Sequence, residues 1–280
     1  MKAVRFHEYG DPSVLRYEDV EQPVPGPGEV RLRVAASAFN PVDDGIRGGY
    51  LQGPFPVTLP HIPGIEVSGT VDAVGDGVTN VAVDDEVSGF LPMVGLTAWQ
   101  ALFDDAGLTA GQRVLINGAG GAVGGYAVQL AKRAGAHVIA TASPHSSERV
   151  RSAGADEVID HTTNSVTDAV TEPVDVLLNL APIAPEQLGA LGALVGHGGV
   201  VVNTVPTIPA PADEERGVRA VGVFVRSDAH QLAHLVALVD RGELHVDVAE
   251  RVPLAELPAV HAKAAAGALS GKVIVLPASA

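Results

Sequence analysis

The residues with the clearest chemical potential lie at 117 to 125, where the apolar run RVLIN is followed by GAGGAVGG and then by YAVQLAKRAG. Gly118, Gly121 and Gly124 stand three apart. That spacing lets a turn tighten, lets the backbone approach a pyrophosphate and lets the next helix pack on its strand. Gly120, Ala122 and Val123 belong to the same turn, and Gly125 adds backbone freedom. N–H groups in the first turn of such a helix lack intrahelical acceptors and sit at the positive end of the helix dipole, which suits phosphate. A glycine triplet also simply joins strands to helices. Here the strand before it, the apolar positions Val123, Ala127, Leu130 and Ala134, the terminator Gly135 and a second run HVIATA complete a βαβ unit. Dinucleotide binding is therefore the expected chemistry.

The end of the second strand is where a carboxylate would hold the ribose 2′-hydroxyl of NAD. This chain has Thr141, Ala142, Ser143, Pro144, His145, Ser146 and Ser147 there, with Arg149 a turn later. Hydroxyls and a guanidinium suit a 2′-phosphate, so NADP is the expected cofactor. Glu148 points weakly to NAD, and the competing reading of Ser146 and Ser147 is helix capping alone.

Several function classes are excluded by composition. Cysteine is absent, which removes disulfides, thiolate nucleophiles, Cys-ligated zinc and iron–sulfur clusters. A formal net charge of −15, from 33 acidic and 18 basic side chains, disfavours nucleic acid and anionic membrane surfaces as partners. No apolar run reaches the roughly 20 residues that span a bilayer, and the first residues carry charges where a signal peptide would be apolar, so a cytoplasmic location is expected.

The elements that must position the glycine turn follow from the patterning. Up to about residue 92 the chain reads as short β segments, VLRYEDV, PVPGPGEV, VRLRVAASAF, GIEVSGTVDAVG and DDEVSGF, in a small barrel or sandwich. LTAWQALFDDAG then begins helical spacing. From 113 onward, buried Val/Ile/Leu runs alternate with helices: RVLIN, HVIATAS, DEVID, VDVLLNLA, GGVVVNTV and VRAVGVFV. That alternation predicts a doubly wound parallel sheet. An amphipathic helix, DAHQLAHLVALVDRGEL, a second helix and a strand KVIVLP follow, and the last strand is expected to return to the β-rich part. The expected class is α/β, with residues 1–92 and 225–280 in a β-rich domain and 93–224 in a Rossmann domain.

FNPVD (39 to 43), PGIEVSGTVDAVGDGV (63 to 78), DDEVSGF, LTAWQAL, INGAGGAVGGYAVQLAK, AGADEVID, GELHVDVAERVPL and SGKVIVL together resemble the zinc-free, quinone oxidoreductase-like branch of the medium-chain dehydrogenases/reductases. The resemblance covers nearly the whole chain and implies a GroES-like catalytic domain, a Rossmann domain, an active site in the cleft and a homodimer. It implies an NADPH-dependent enzyme that delivers hydride to a quinone or α,β-unsaturated carbonyl. Zinc-dependent relatives carry a cysteine near FNPVD and a His-Glu pair in PGIEVSG; Asn40, and Ile65 before Glu66, stand there, and no metal site is expected. His61 nearby is read as a packed or solvated side chain. Relatives also carry a further segment of a few dozen residues where this chain runs directly from Phe90 to Leu91, and some have a tyrosine at the position of Gly45.

By this resemblance Asn40 would orient the nicotinamide or acceptor carbonyl, the alternative being an amide that caps the turn before Pro41. Asn179 and Ala181 after the fourth strand, Val205 after the fifth, and Phe224 and Val225 after the sixth would line the dinucleotide path. Lys272 would approach the cofactor or lie on the surface. Asp43 with Asp44 can form a carboxylate pair, the favoured alternative for Asp44 being a solvated turn; Tyr50 can donate a proton to an enolate or merely pack, and Thr97, opening the first Rossmann-side helix, can touch the nicotinamide or cap that helix. Two other functions stay open: an enoyl-thioester reductase, for which only four lysines offer little basic surface, and a non-catalytic NADPH-binding sensor module.

Overall fold

The computed structural model describes residues 1–87, 92–269 and 271–277. Contacts divide the chain into two compact units, Met1–Phe90 with Val248–Ala280, and Leu91–Asp247. The first unit begins with an antiparallel hairpin of β1 (Lys2–Phe6) and β2 (Leu15–Asp19). The long strand β3 (Val30–Phe39) follows, then helix α1 (Pro41–Arg47), β4 (Val67–Val74) and the short β5 (Glu86–Val87). The expected segment PVPGPGEV forms no strand before Val30; its prolines remove ladder donors. The junction at Phe90–Leu91, where the resemblance leads us to expect a missing segment, lies outside the described residues.

The second unit opens with α2 (Pro92–Trp99), which passes into a π-helical turn, Gln100–Asp105. Then β and α alternate: β6 (Arg113–Asn117), α3 (Ala122–Arg133), β7 (His137–Ala142), α4 (Pro144–Ser152), β8 (Glu157–Asp160), α5 (Val166–Ala169). The series continues with β9 (Val174–Asn179), α6 (Pro185–Gly192), β10 (Val195–Asn203), β11 (Arg219–Gly222) and α7 (Ala229–Asp240). All six strands are parallel, in the order β11-β10-β9-β6-β7-β8. This is the doubly wound Rossmann order, with its switch point between β6 and β9. The side-chain period of two explains the unbroken apolar runs. Val114, Ile116, Val138, Ala140, Val176, Leu178, Val200 and Val202 face a core shared with α2, α3 and α7. Leu115, Ile139, Leu177 and Val201 face the opposite core with Leu188 and Leu191 of α6. Helix α7 clusters with this unit, because its Leu235 and Leu238, with Leu244 just after it, bury into the first of those cores.

The chain then returns to the first unit with β12 (Val248–Pro253), α8 (Leu257–Ala265) and β13 (Lys272–Leu276). Its sheet runs β12-β13-β3-β4-β5, antiparallel except for the β12–β13 pair. Val273 pairs with Phe39 and Ile274 with Ala38, so the register brings Lys272 beside Asn40. Phe6, Phe39, Ile46, Val260, Val273 and Val275 form the core beneath. Among the described residues no helix is long and apolar enough to cross a membrane.

Candidate functional site

The glycine turn stands where β6 gives way to α3. Gly118 has φ +89°, a conformation that β-carbon sterics disfavour, and a Cβ there would meet Ala181. At Gly124 a Cβ would lie 2.4 Å from the Cα of Ala119, so only glycine lets helix and turn approach this closely. Gly121 caps α3 in an extended conformation and its N–H closes the turn on Gly118 O at 3.2 Å. Ala122, Val123 and Gly124 form the first helical turn, whose N–H groups have no carbonyl four residues back within the helix. The Gly118 N–H is not available in that way: it donates to Thr141 Oγ1 at 2.8 Å.

Thr141 begins a row of side chains along the carboxyl ends of four adjacent strands. Its hydroxyl donates to Asn117 Oδ1 at 2.9 Å; Asn117 Nδ2 donates to Asn179 Oδ1 at 2.8 Å; Asn179 Nδ2 donates to Asn203 Oδ1 at 2.8 Å. Asn179 also holds Ala181 O at 3.0 Å, and Asn203 holds Val205 O and Ile208 O at 3.1 and 2.6 Å. All four side chains are buried. Beside Asn117, Gly118, Thr141 and Ala181 opens a cavity of about 570 Å3, lined also by His161 and Ile183. A second hollow is lined by Val205, Ile208, Gly222 and Phe224. Arg226 exchanges two 2.9 Å backbone bonds with the buried Gln100 of the π-helical turn, which fixes the chain just after Phe224 and Val225.

At the end of β7, Ser143 caps α4 and its hydroxyl lies 3.3 Å from that of the buried Ser146. The capping reading thus falls on this Ser143–Ser146 pair, whereas Ser147 donates to Pro144 O. Arg149 reaches the glycine turn and donates to Gly120 O, while its Nε lies 3.1 Å from Asp247. Glu148 points into solvent and pairs with Arg151 at 3.9 Å.

The β-rich unit holds a separate polar cluster. Lys272 donates to Glu66 and, at 2.8 Å, to Asn40 Oδ1, and Asn40 Nδ2 donates to Glu66 Oε2 at 3.0 Å. These side chains are almost wholly buried. Lys272 is therefore neither a surface lysine nor free to reach outward, and the amide of Asn40 is engaged inside the unit, because the β3–β13 register places the two side by side. The backbone N–H of Asn40 donates to Asp43 Oδ2 at 2.8 Å. Burial pushes the Asp43 carboxyl up to about 7, against the lowering effects of the Asn40 bond and the Lys272 charge. Asp44 does not pair with it; Asp44 instead bonds Arg47 and lies 3.1 Å from His261 Nδ1. Burial lowers the pKa of His261. Tyr50 follows α1 and is 85% exposed, so its ring stands in solvent rather than packed in a wall. Thr97 sits inside α2 rather than opening it, and bonds back to Met93 O at 2.5 Å. His61 pairs through its backbone with Phe6 and stacks edge-on against that ring.

Asn117, Asn203, Glu66 as a lysine partner, Gln100 and Asp247 do not stand out as functional residues in the sequence. One signal was present: RVLIN, VDVLLN and GGVVVN all end in asparagine, a polar residue placed at the same point of three apolar runs.

Residues 26–138 match the family model described as the alcohol dehydrogenase GroES-like domain, and residues 153–275 that of the zinc-binding dehydrogenases. A chloroplast envelope quinone oxidoreductase homolog of Arabidopsis thaliana is 30% identical, over 99% of this chain and 98% of its own length. That alignment runs over 327 positions, more than the 280 residues of this chain, so the relative carries residues with no counterpart here. Among solved structures, the quinone oxidoreductase from Coxiella burnetii superposes with a TM-score of 0.90 at 26% identity, covering 99% of both chains. A mycobacterial protein solved as a complex with NADPH superposes with a TM-score of 0.83 at 26% identity, covering 99% of this chain and all of its own. The chain belongs to the quinone oxidoreductase family of the medium-chain dehydrogenases/reductases and is an oxidoreductase.

Proposed function

We propose that this oxidoreductase delivers hydride from NADPH to a quinone or another conjugated carbonyl without a metal. The observation that carries the reading is the glycine turn at the β6/β9 switch point, with Arg149 against Gly120 and no carboxylate at the end of β7. The first-turn N–H groups of Ala122, Val123 and Gly124 would take the pyrophosphate, and Ser143, Ser146 and Arg149 the 2′-phosphate. The cavity beside Gly118, Thr141 and Ala181 would take the adenosine half, and Val205, Phe224 and Val225 would flank the nicotinamide half. When bound, the cofactor supplies the hydride; the chain binds, orients and excludes water.

The donor set supports zinc independence. Thiolates are absent, the described residues contain no group of three His, Asp or Glu able to hold a metal ion, and Glu66 already faces the Lys272 ammonium. Without a Lewis acid, an acceptor that spreads developing charge by conjugation asks less of the protein than a saturated aldehyde does. Asn40, Asp43, Tyr50 and Thr97 remain the proposed acceptor-side residues, with the amide of Asn40 already engaged by Glu66 and Lys272 and Asp43 accepting from the Asn40 N–H. A homodimer, the family habit, fits the same reading.

The decisive experiment is a fluorescence titration with NADPH and NADH followed by steady-state oxidation against a quinone panel. Tight NADPH binding with quinone turnover is expected; tight binding with no turnover on any acceptor favours the sensor reading.

A further inference from the structure

Four strands of the parallel sheet deliver a hydrogen-bonding side chain to one line, and every bond in that line has the same polarity. The Gly118 N–H donates to Thr141, Thr141 to Asn117, Asn117 to Asn179, Asn179 to Asn203, and Asn203 to Ile208 O. Hydrogen bonds aligned head to tail polarise one another, most of all where water is excluded. Stability alone does not call for this arrangement. The preceding residues on the same strands are Ile116, Ala140, Leu178 and Val202, all buried and apolar, and a satisfied buried amide contributes little more than an apolar side chain of like shape. An unsatisfied one is expensive, so the row tolerates only one geometry.

The two ends of the row identify what that geometry serves. One end fixes the N–H of Gly118, the first residue of the glycine turn. The other fixes the loop from Val205 to Ile208 through three bonds to a single side chain: Asn203 Oδ1 accepts from the Val205 N–H, and Asn203 Nδ2 donates to Val205 O and Ile208 O. Asn179 stands in the middle, accepts from one neighbour, donates to the next and holds Ala181 O as well.

We propose that Thr141, Asn117, Asn179 and Asn203 are positioning residues that lock the glycine turn and the Val205–Ile208 loop into one spacing for the bound dinucleotide, with Asn179 as the central member. The proposal rests on the dinucleotide reading above. It assigns the row a role in cofactor affinity, beyond that of the residues that touch the cofactor.

Asn179→Asp is the informative change. One oxygen still accepts from Asn117, but the other faces Asn203 Oδ1 and Ala181 O, where a donor is required. A carboxylate buried among acceptors has a raised pKa, and its protonated form restores one donor. The dissociation constant of NADPH, measured by fluorescence and expressed as the ratio of variant to wild type, is expected to be at least tenfold worse at pH 8.5. It should recover at least fivefold by pH 5.5. Asn179→Ala should be weakened at every pH with a flat ratio. A second measurement covers failure of these variants to fold: Asn117→Ser and Asn203→Ser alter residues that do not bond one another, and the double variant should bind at least threefold better than the product of the single effects predicts. Wild type binding neither NADPH nor NADH overturns the dinucleotide reading and the proposal with it. Normal wild-type binding with a pH-flat ratio for Asn179→Asp, or with multiplicative serine effects, overturns the proposal alone.

Discussion

Lys272 and Glu66, 206 positions apart in sequence, form an ion pair whose side chains are 4% and 1% exposed. Removing one member of a buried pair strands a charge and typically destabilises by about 3–5 kcal/mol, whereas replacing both with apolar residues of like volume is often near neutral. Glu66→Leu and Lys272→Met are each expected to lower the urea midpoint strongly, and the double variant should regain at least half of the loss. A double variant that loses the sum of both single effects contradicts this account of the cluster.

Asp43 sets a pH dependence of known sign. Its carboxyl is raised to about 7 in the fold by burial, while in the unfolded chain it titrates near the ordinary 3.8. The native state therefore holds more protons between those values, and stability falls as pH rises from about 4 to about 7. At ~1.4 kcal/mol per unit, the cost above pH 7 reaches about 4 kcal/mol as an upper bound. Asp43→Asn keeps an oxygen for the Asn40 N–H and removes the ionisation. Its melting temperature should exceed that of wild type at pH 8 by several degrees, with the gap shrinking steadily toward pH 4. A gap that is constant with pH would show that Asp43 does not titrate in this range.

Arg149 is shared between Gly120 O and the half-exposed Asp247 carboxylate. If the guanidinium is the 2′-phosphate partner, Asp247 competes with the ligand for it. Asp247→Asn should tighten NADPH several-fold and leave NADH unchanged, and Arg149→Ala should bring the two affinities within about twofold of each other. Isothermal titration with both cofactors checks this; equal effects of Asp247→Asn on NADPH and NADH would assign Asp247 a purely structural part.

The Rossmann half was legible because both of its signals are local. Uninterrupted runs such as VLLN report a strand covered on both faces, and glycines three apart report a tight turn ahead of a helix. The β-rich half was legible mainly through its resemblance to known sequences, and its site was not. Whether Lys272 lies on the surface or inside depends on the β3–β13 register, which pairs residues more than 230 positions apart. Thr97 illustrates a different limit: a threonine reads as a helix start, but here it bonds one turn back inside a helix that begins at Pro92. The asparagine row sits between these cases. Each asparagine was visible at a strand end, yet their alignment follows only from the parallel register of Asn117 with Asn179 and of Asn179 with Asn203.

The acceptor preference tests the reaction itself. Hydride arrival at a carbonyl-bearing acceptor places negative charge on oxygen, and without a metal that charge must be met by hydrogen bonds or dispersed within the acceptor. The amide of Asn40 is bonded to Glu66 and Lys272, the hydroxyl of Thr97 to Met93, and Tyr50 is exposed, so strong fixed donors are scarce among the proposed acceptor-side residues. Quinones and enones disperse the charge by conjugation; a simple aldehyde does not. Under identical NADPH, a benzoquinone, a naphthoquinone and an enone should all turn over faster than a simple aldehyde by at least two orders of magnitude. Exhaustive chelation should leave those rates unchanged, and elemental analysis should find no stoichiometric zinc, because thiolates are absent and the described residues hold no cluster of His, Asp or Glu from which a tetrahedral site could be built. An aldehyde or alcohol substrate preferred over every quinone, or activity lost to a chelator and restored by zinc, would falsify the metal-free conjugated-acceptor assignment.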